Sequence, residues 1–429
     1  MSVLYKLYAK ILLNRLKAAG AEARLWNRQF GFRSKRSTED ALFIVRRRVE
    51  QALATRGGRA FVLALDWRKA FDSIAPDRLT WALQRFGISG PMLDAISEIY
   101  TDRCFTVWDS GVESQCRPQQ AGISQGCPLS PFLFGIVMTV LMTDARASLS
   151  TEARQAYDKE ELEDALFADD TLLISRCSSH LEEYMARVEE KGRDYGLQMH
   201  WGKVCLVRLG SDTQVHSPQG VQIQARDSMV YLGSTVHANG KFGCEISRKI
   251  GAARAEFDFL HRVWKNSALP QSRKLYIFDA LILSKLRYGV ASSWLSKSEL
   301  RRLDGFEAWC LRKMLGIKHS FISRVSNARV RQVAGQAPIS AAIRTSQLRL
   351  LGQVLTDPCK SVLKEVAFHG GDSLTPETSA YVRKIGRPKH NWTDQLVGMM
   401  RQAAGSLQEW NRIASSYGAW MEVVDRLSC

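Results

Sequence analysis

No stretch of this 429-residue chain is apolar for long enough to cross a bilayer. The longest such run, Pro131 to Met142, falls short of the roughly 20 residues a spanning helix needs and reads as a buried helix. Met1 to Lys10 lacks the long apolar segment and small-residue cleavage site of a secretory signal. The nine cysteines never fall at C-x-x-C spacing, which supports neither a zinc site nor a disulfide framework and predicts free thiols in a reducing compartment. Internal repeats and low-complexity tracts are absent, so no solenoid or disordered tail is expected. Acidic residues are also short: 43 Asp and Glu face 60 Lys and Arg, leaving a formal charge of +17. That excess favours a polyanionic partner, nucleic acid first, although a protein with one solvated basic face satisfies it equally. The 45% hydrophobic content is ordinary and the length suggests two to four domains, so large packed cores are expected in a soluble, intracellular chain.

What is present is organised around Ala165–Ile174, where apolar runs flank the adjacent aspartates Asp169 and Asp170. Two short apolar segments joined by a polar pair predict a β-hairpin with both carboxylates at its tip. Adjacent carboxylates repel, and one stays protonated unless a cation neutralises them. By itself the pair is equally an Asp-rich turn. About a hundred residues upstream, Ala60–Leu65 is continuously apolar, as a strand covered on both faces is, and it ends at Asp66. Carboxylates at strand ends are where α/β cores meet ligands. Phe71 follows after a turn, and Asp72 reads as structural.

Tyr5 to Ala19 has the spacing of an amphipathic basic helix, and Glu39 to about Arg56 that of a second, which Ser37 or Thr38 can cap. Between them Asn27–Thr38 is rich in Gly, Ser and cations, an exposed loop able either to grip phosphates or simply to be solvated. Ala121–Pro131 is a Gly- and Pro-rich loop opening a helix, with Ser130 as cap, Pro131 in the first turn, and Gly126 leaving room for a flat base or sugar. Glu152 to Glu163 is charged and expected on the surface, and Leu181 to Tyr195 is an amphipathic helix.

Leu65-Asp66 with Lys69-Ala70-Phe71-Asp72, followed by Phe167-Ala168-Asp169-Asp170, resembles the reverse transcriptases of non-LTR, LINE-type retrotransposons. Gln29-Phe30-Gly31-Phe32-Arg33 is similar to that family's fingers motif, and Gly122-Ile123-Ser124-Gln125-Gly126 to its motif B. The resemblance implies an α+β right-hand polymerase with partial fingers, a palm carrying an antiparallel sheet, a helical thumb and a mostly helical C-terminal region. It implies that Asp66, Asp169 and Asp170 hold two Mg2+ ions, with Mn2+ able to substitute. It further implies that Phe71 gates the incoming sugar and that Arg33, Gln125 and Gly126 contact nucleotide or template. Gly196–Leu206 resembles motif D, with Lys203 as general acid to the leaving pyrophosphate and His200 where the family has Asn; a surface lysine before a strand fits as well. Tyr231-Leu232-Gly233-Ser234 resembles the primer-grip turn. The partners implied are an RNA template, a DNA primer and dNTPs, and the location a nuclear or cytoplasmic ribonucleoprotein.

The four stretches stand in the family's order, and the resemblance covers residues 1 to about 320. The expected domains are 1–59 partial fingers, 60–245 palm, 246–320 thumb and 321–429 a basic helical region. Tyr288, Trp294 and Trp309 are expected in the thumb core, and Gly370–Ser373 as a linker. Gly386–Trp392 resembles a short motif found after the thumb in related elements, and no C-terminal zinc knuckle is visible. Against the family the chain starts late, without the preceding fingers segment or an endonuclease domain. Three readings follow: an RNA-directed DNA polymerase, a catalytically silent nucleic-acid-binding remnant, and an RNA-dependent RNA polymerase. Phe71 disfavours the last, which needs room for a 2′-hydroxyl. A maturase is a narrower alternative without a matching helical domain.

Overall fold

Six apolar residues in a row, Ala60–Leu65, form the central strand β1, buried along its length except for half-buried Ala64. A run without alternation requires cover on both faces, and the sheet and its helices supply it. The computed structural model describes residues 2–368, 376, 382–385 and 391–428. The chain divides into two compact units, Met1–Ala41 with Gly58–Asp227, and Leu42–Gly57 with Ser228–Cys429.

In the first unit β2 (Leu162–Phe167) and β3 (Asp170–Ser175) make the expected hairpin, paired from Leu162↔Ser175 to Phe167↔Asp170. Strand β1 lies against β3, from Phe61↔Ser175 to Leu65↔Thr171, and on its other side against β4 (Cys205–Leu209). The sheet is antiparallel except at its edge, where β5 (Ala225–Arg226) runs parallel to β4, giving the order β5-β4-β1-β3-β2. Helix α1 (Val3–Ala18) buries Ala9, Leu12, Leu13 and Leu16, and the Ser2 hydroxyl caps it by accepting from the Tyr5 N–H at 3.2 Å. Helix α2 (Thr38–Ala54) forms where predicted and from Leu42 onward belongs to the second unit, while α3 (Pro76–Phe86) follows the turn after β1. Helix α4 (Ser130–Ala147) is buried on nearly every side, as its apolar composition dictates. Helix α5 (Ser178–Asp194) buries Leu181, Tyr184, Met185 and Val188 and leaves its charged face to solvent.

Four expectations are corrected. Ser130 is the buried first residue of α4 rather than its cap, which is Leu129 without a side-chain bond. The acidic segment does not stay at the surface to its end: Glu163 is buried against Arg28 at 2.8 Å, and Asp164 behind it is fully buried. Asp164 accepts from the Trp26 indole N–H at 2.7 Å and from the Tyr157 and Tyr184 hydroxyls at 2.8 Å each. Its donors come from three separate elements, Trp26 the most distant of them, which no local pattern announces. Burial pushes its carboxyl up in spite of them. Third, Cys104 and Cys116 are not free thiols: an exposed β-ribbon between α3 and α4 brings them together as a disulfide, with Cys104 paired to Pro118 and Phe105 to Arg117. Fourth, Tyr288 of the second unit is 44% exposed instead of lying in the core, with its hydroxyl donating to the Leu232 carbonyl at 2.9 Å.

The second unit is mostly helical. A hairpin of β6 (Ser228–Tyr231) and β7 (Ser234–His237) leads into α6 (Gly243–Phe259), α7 (Lys297–Leu315) and α8 (Ile339–Thr356). Phe257, Trp264, Phe278, Leu303, Phe306 and Leu311 share its core. Ser296 and Glu299 close a reciprocal capping box at the start of α7, and Gly316, at φ +69°, ends it. Among the described residues no helix is long and apolar enough to cross a membrane. The Gly370–Ser373 linker and the Gly386–His390 part of the short motif lie outside the described residues; Asn391 caps and Trp392 begins the next helix, where Trp392 is buried.

Candidate active site

The register of the sheet gathers the acidic residues. Asp66 stands one residue past the Leu65↔Thr171 pair, level with Asp170 at the start of β3. Antiparallel neighbours face each other at roughly 5 Å between Cα atoms, so a residue about a hundred positions away in sequence shares the field of the hairpin tip. The carboxyls show it. Partial loss of solvent at the hairpin tip, where Asp170 itself keeps an exposed side, then Asp169, then Asp66 push its carboxyl up to about 6. Asp169 is also raised, by burial and by Asp66, against the pull of Lys203. Lys203 itself lies with its Nζ 3.1 Å from Asp66 Oδ2. An ammonium group therefore stands where the carboxylates attract positive charge.

The donors are hard carboxylate oxygens, which suit a magnesium-like cation. Among the described residues no three Asp, Glu, His or Cys side chains enclose a metal cluster. Magnesium dehydrates reluctantly and takes one or two protein carboxylates together with substrate phosphates. Asp66, Asp169 and Asp170, expected to act as a ligand set, therefore do not close into a three-ligand group by themselves.

Phe71 lies on the short helical turn Ala70–Ser73 and its ring stacks on Phe134 of α4 at 4.4 Å, with Phe32 edge-on at 6.4 Å. The Gly-rich loop before α4 is stitched to the same turn. The Ile123 N–H donates to the Phe71 carbonyl at 2.7 Å, the Gly122 N–H to the Ile74 carbonyl at 2.8 Å, and Gln125 Nε2 to Asp72 Oδ1 at 3.1 Å. Gly126 has φ +83° with no atom within 4 Å of where a Cβ would stand, so the space beside its backbone is open. Phe71, Gln125 and Gly126 thus belong to one connected surface through the Phe71–Ile74 turn.

Arg33 is held differently from expectation. Its two Nη groups donate to the Trp26 carbonyl at 2.8 Å and the Glu22 carbonyl at 3.1 Å, so it shapes its own loop. That loop is not wholly exposed either: Gln29, Phe30 and Gly31 are buried. The Phe30 N–H donates to the Leu166 carbonyl at 2.7 Å, and the Leu166 N–H to the Arg28 carbonyl at 2.9 Å. Gln29 Oε1 accepts from the N–H groups of Gly31 and Ala168, both at 2.9 Å, while its Nε2 donates to the Ala168 carbonyl at 3.1 Å. A glutamine in a basic, Gly-containing loop gives no sequence signal for this; only its burial does.

In the second unit the Tyr231–Ser234 turn is fixed from outside. The Tyr288 hydroxyl holds the Leu232 carbonyl, and Arg248 donates to that of Gly233 at 2.7 Å. Burial raises the Glu245 carboxyl, but Arg248, the Thr235 hydroxyl and Lys249 outweigh it and bring it to about 2.

A largely antiparallel sheet with acidic residues at the facing ends of neighbouring strands, and a Gly-rich loop bonded to the turn that follows one of them, fits the class of nucleotide-polymerising enzymes. Residues 1–236 match the family model for reverse transcriptase (RNA-dependent DNA polymerase), and the chain belongs to that family. Its relatives include the Pol polyprotein of the type-2 retrotransposable element R2DM of Drosophila melanogaster, 23% identical over 60% of this chain and 24% of that protein. The RNA-directed DNA polymerase from the mobile element jockey of the same species is 26% identical over 72% of this chain and 34% of its own length. The chain therefore spans well under half of these relatives. Among solved structures, telomerase from Candida tropicalis in complex with a telomeric RNA fragment superposes with a TM-score of 0.41 at 12% identity, over 83% of this chain and 56% of that one. Members of the family generally use divalent metal ions.

Proposed function

We propose that the chain is an RNA-directed DNA polymerase of a LINE-type element, transferring deoxynucleotides to a primer 3′-hydroxyl along an RNA template. The observation that carries this reading is the register that brings Asp66 level with the Asp169–Asp170 tip, in a field that raises the Asp170 carboxyl to about 6. Two magnesium ions, with manganese as substitute, would be held by Asp66 and Asp169 with Asp170 in support; once bound they supply activation of the attacking hydroxyl and neutralisation of the leaving pyrophosphate. Lys203, whose Nζ lies 3.1 Å from Asp66 Oδ2, would donate a proton to the leaving pyrophosphate. Gln125 and Gly126 offer an amide and an open backbone surface to the nucleotide and template.

The test is primer extension on an RNA template with magnesium, comparing wild type with Asp169→Ala plus Asp170→Ala. Extension by the former alone is expected. RNA binding that falls steeply with salt, without extension, would instead mark a silent binding remnant.

Phe71 supplies the shape argument for deoxynucleotides. Its ring is held by stacking on Phe134, and in the gate role it would collide with an added 2′-hydroxyl. Phe71→Val is expected to raise ribonucleotide use relative to deoxynucleotide use by roughly 10- to 100-fold. Single-nucleotide kinetics with matched dNTP and rNTP read the ratio; an unchanged ratio removes the gate assignment.

A further inference from the structure

We propose that Gln29 is a positioning residue for the polymerase site, clamping Ala168 so that the Asp169–Asp170 pair is aimed; this rests on the reading of those carboxylates as cation ligands. Ala168 and Asp169 are the two residues between the paired ends Phe167 and Asp170 of the hairpin. Ala168 has φ +60°, whereas Asp169 keeps a negative φ. Positive φ at the first central residue alone is the pattern of a type II′ turn, which asks for glycine there because a Cβ is crowded. An alanine in that position needs an outside hold.

Gln29 provides one with a single side chain. Its amide accepts from the Ala168 N–H at 2.9 Å and donates to the Ala168 carbonyl at 3.1 Å, engaging both polar groups of the strained residue. The Gly31 N–H converges on the same Oε1 at 2.9 Å, which fixes which end of the amide is oxygen. Gln29 is 1% exposed, so these bonds are made away from bulk water. The backbone bonds of Arg28 and Phe30 to Leu166 anchor the clamp to β2 on either side. Asparagine lacks the reach. Glutamate matches the shape but loses the donation to the carbonyl and adds negative charge beside two carboxyls that already repel.

The experiment compares full-length wild type, Gln29→Ala, Gln29→Glu, and Gln29→Ala combined with Ala168→Gly. Three readouts are used: amide hydrogen exchange at Ala168, calorimetric Mn2+ binding without nucleotide, and primer extension split into kcat and KM. For Gln29→Ala we expect Ala168 exchange at least about ten-fold faster and extension kcat lower by about 100-fold, with KM for dNTP within about two-fold and weaker Mn2+ binding. Glycine at 168 should recover roughly ten-fold of the loss, since it holds the positive φ unaided. Gln29→Glu, which preserves volume, should still lose kcat. Unchanged Ala168 exchange and Mn2+ binding in both Gln29 variants would overturn the clamp, as would a loss that Ala168→Gly leaves untouched. If wild type fails to extend, the polymerase reading falls, while exchange and Mn2+ binding still decide the clamp.

Discussion

Gly31→Ala should be among the most damaging single-methyl additions in the first unit. Its φ is not in the left-handed region, so the reason is space alone. A Cβ there would stand inside the envelope of the Ala168 backbone nitrogen and within 3.1 Å of the Ala168 Cα and the Phe167 carbonyl carbon. These are backbone atoms of the hairpin tip and cannot swing aside as a side chain does. Overpacking of this kind costs about 2–3 kcal/mol, or roughly 5–10 °C in Tm for a unit of this size. The hairpin has to move, and a displacement near 1 Å at the reacting centre costs on the order of 100-fold in rate. Thermal melting and primer extension together check it. Gly251, with open space around a Cβ on an exposed helical face, is the control. A Gly31→Ala protein as stable and active as wild type would mean the loop does not seat on the hairpin.

The second large effect has opposite signs on activity and stability. Asp170→Asn should lower extension on the order of 100- to 1,000-fold, the range for removing one preorganised charged group from a reacting centre. In the absence of divalent cation the same variant should melt higher than wild type at neutral pH. Burial and the neighbouring Asp169 and Asp66 push the Asp170 carboxyl from 3.8 to about 6. The folded chain thus binds that proton more tightly than the unfolded chain does. The stability it contributes is fully present below about pH 4 and is lost as pH rises through about 6. Asparagine carries no such proton and removes that slope. Wild type should regain the difference when Mg2+ or Mn2+ is added, and Asp170→Asn should not. Melting curves from pH 4 to 8, with and without metal, test the sign. A wild type whose stability rises across that window on account of this residue would contradict the crowded-carboxylate geometry.

Much of this site could be read along the chain because it depends on short-range pattern. Ala60–Leu65 is apolar without alternation, so a doubly covered strand ending at Asp66 is the economical solution, and it forms. The runs on either side of Asp169–Asp170 are too short for helices and are joined by two polar residues, so a hairpin forms. The roles of Phe71 and Gln125 came from resemblance rather than from pattern, and that of Gly126 from both. What sequence reading missed was polar burial. Gln29, Glu163 and Asp164 look like surface residues, yet each is buried with a partner far along the chain: Ala168, Arg28 and Trp26 respectively. Cys104 and Cys116, twelve apart, meet only because a ribbon folds back on itself.

The sequence by itself determined that Ala60–Leu65 is a strand, that the segments flanking Asp169–Asp170 form a hairpin, that acidic residues stand at the ends of those strands, and that the chain carries a large positive excess. Local sterics and the placement of apolar residues settle such matters within a dozen positions. Tertiary structure decided which polar groups leave water, that Asp66 comes level with Asp170, and that a glutamine from a loop over a hundred residues upstream holds the hairpin tip. A buried polar group must find its partner in space, and the register between distant strands, not the spacing along the chain, sets where that partner is.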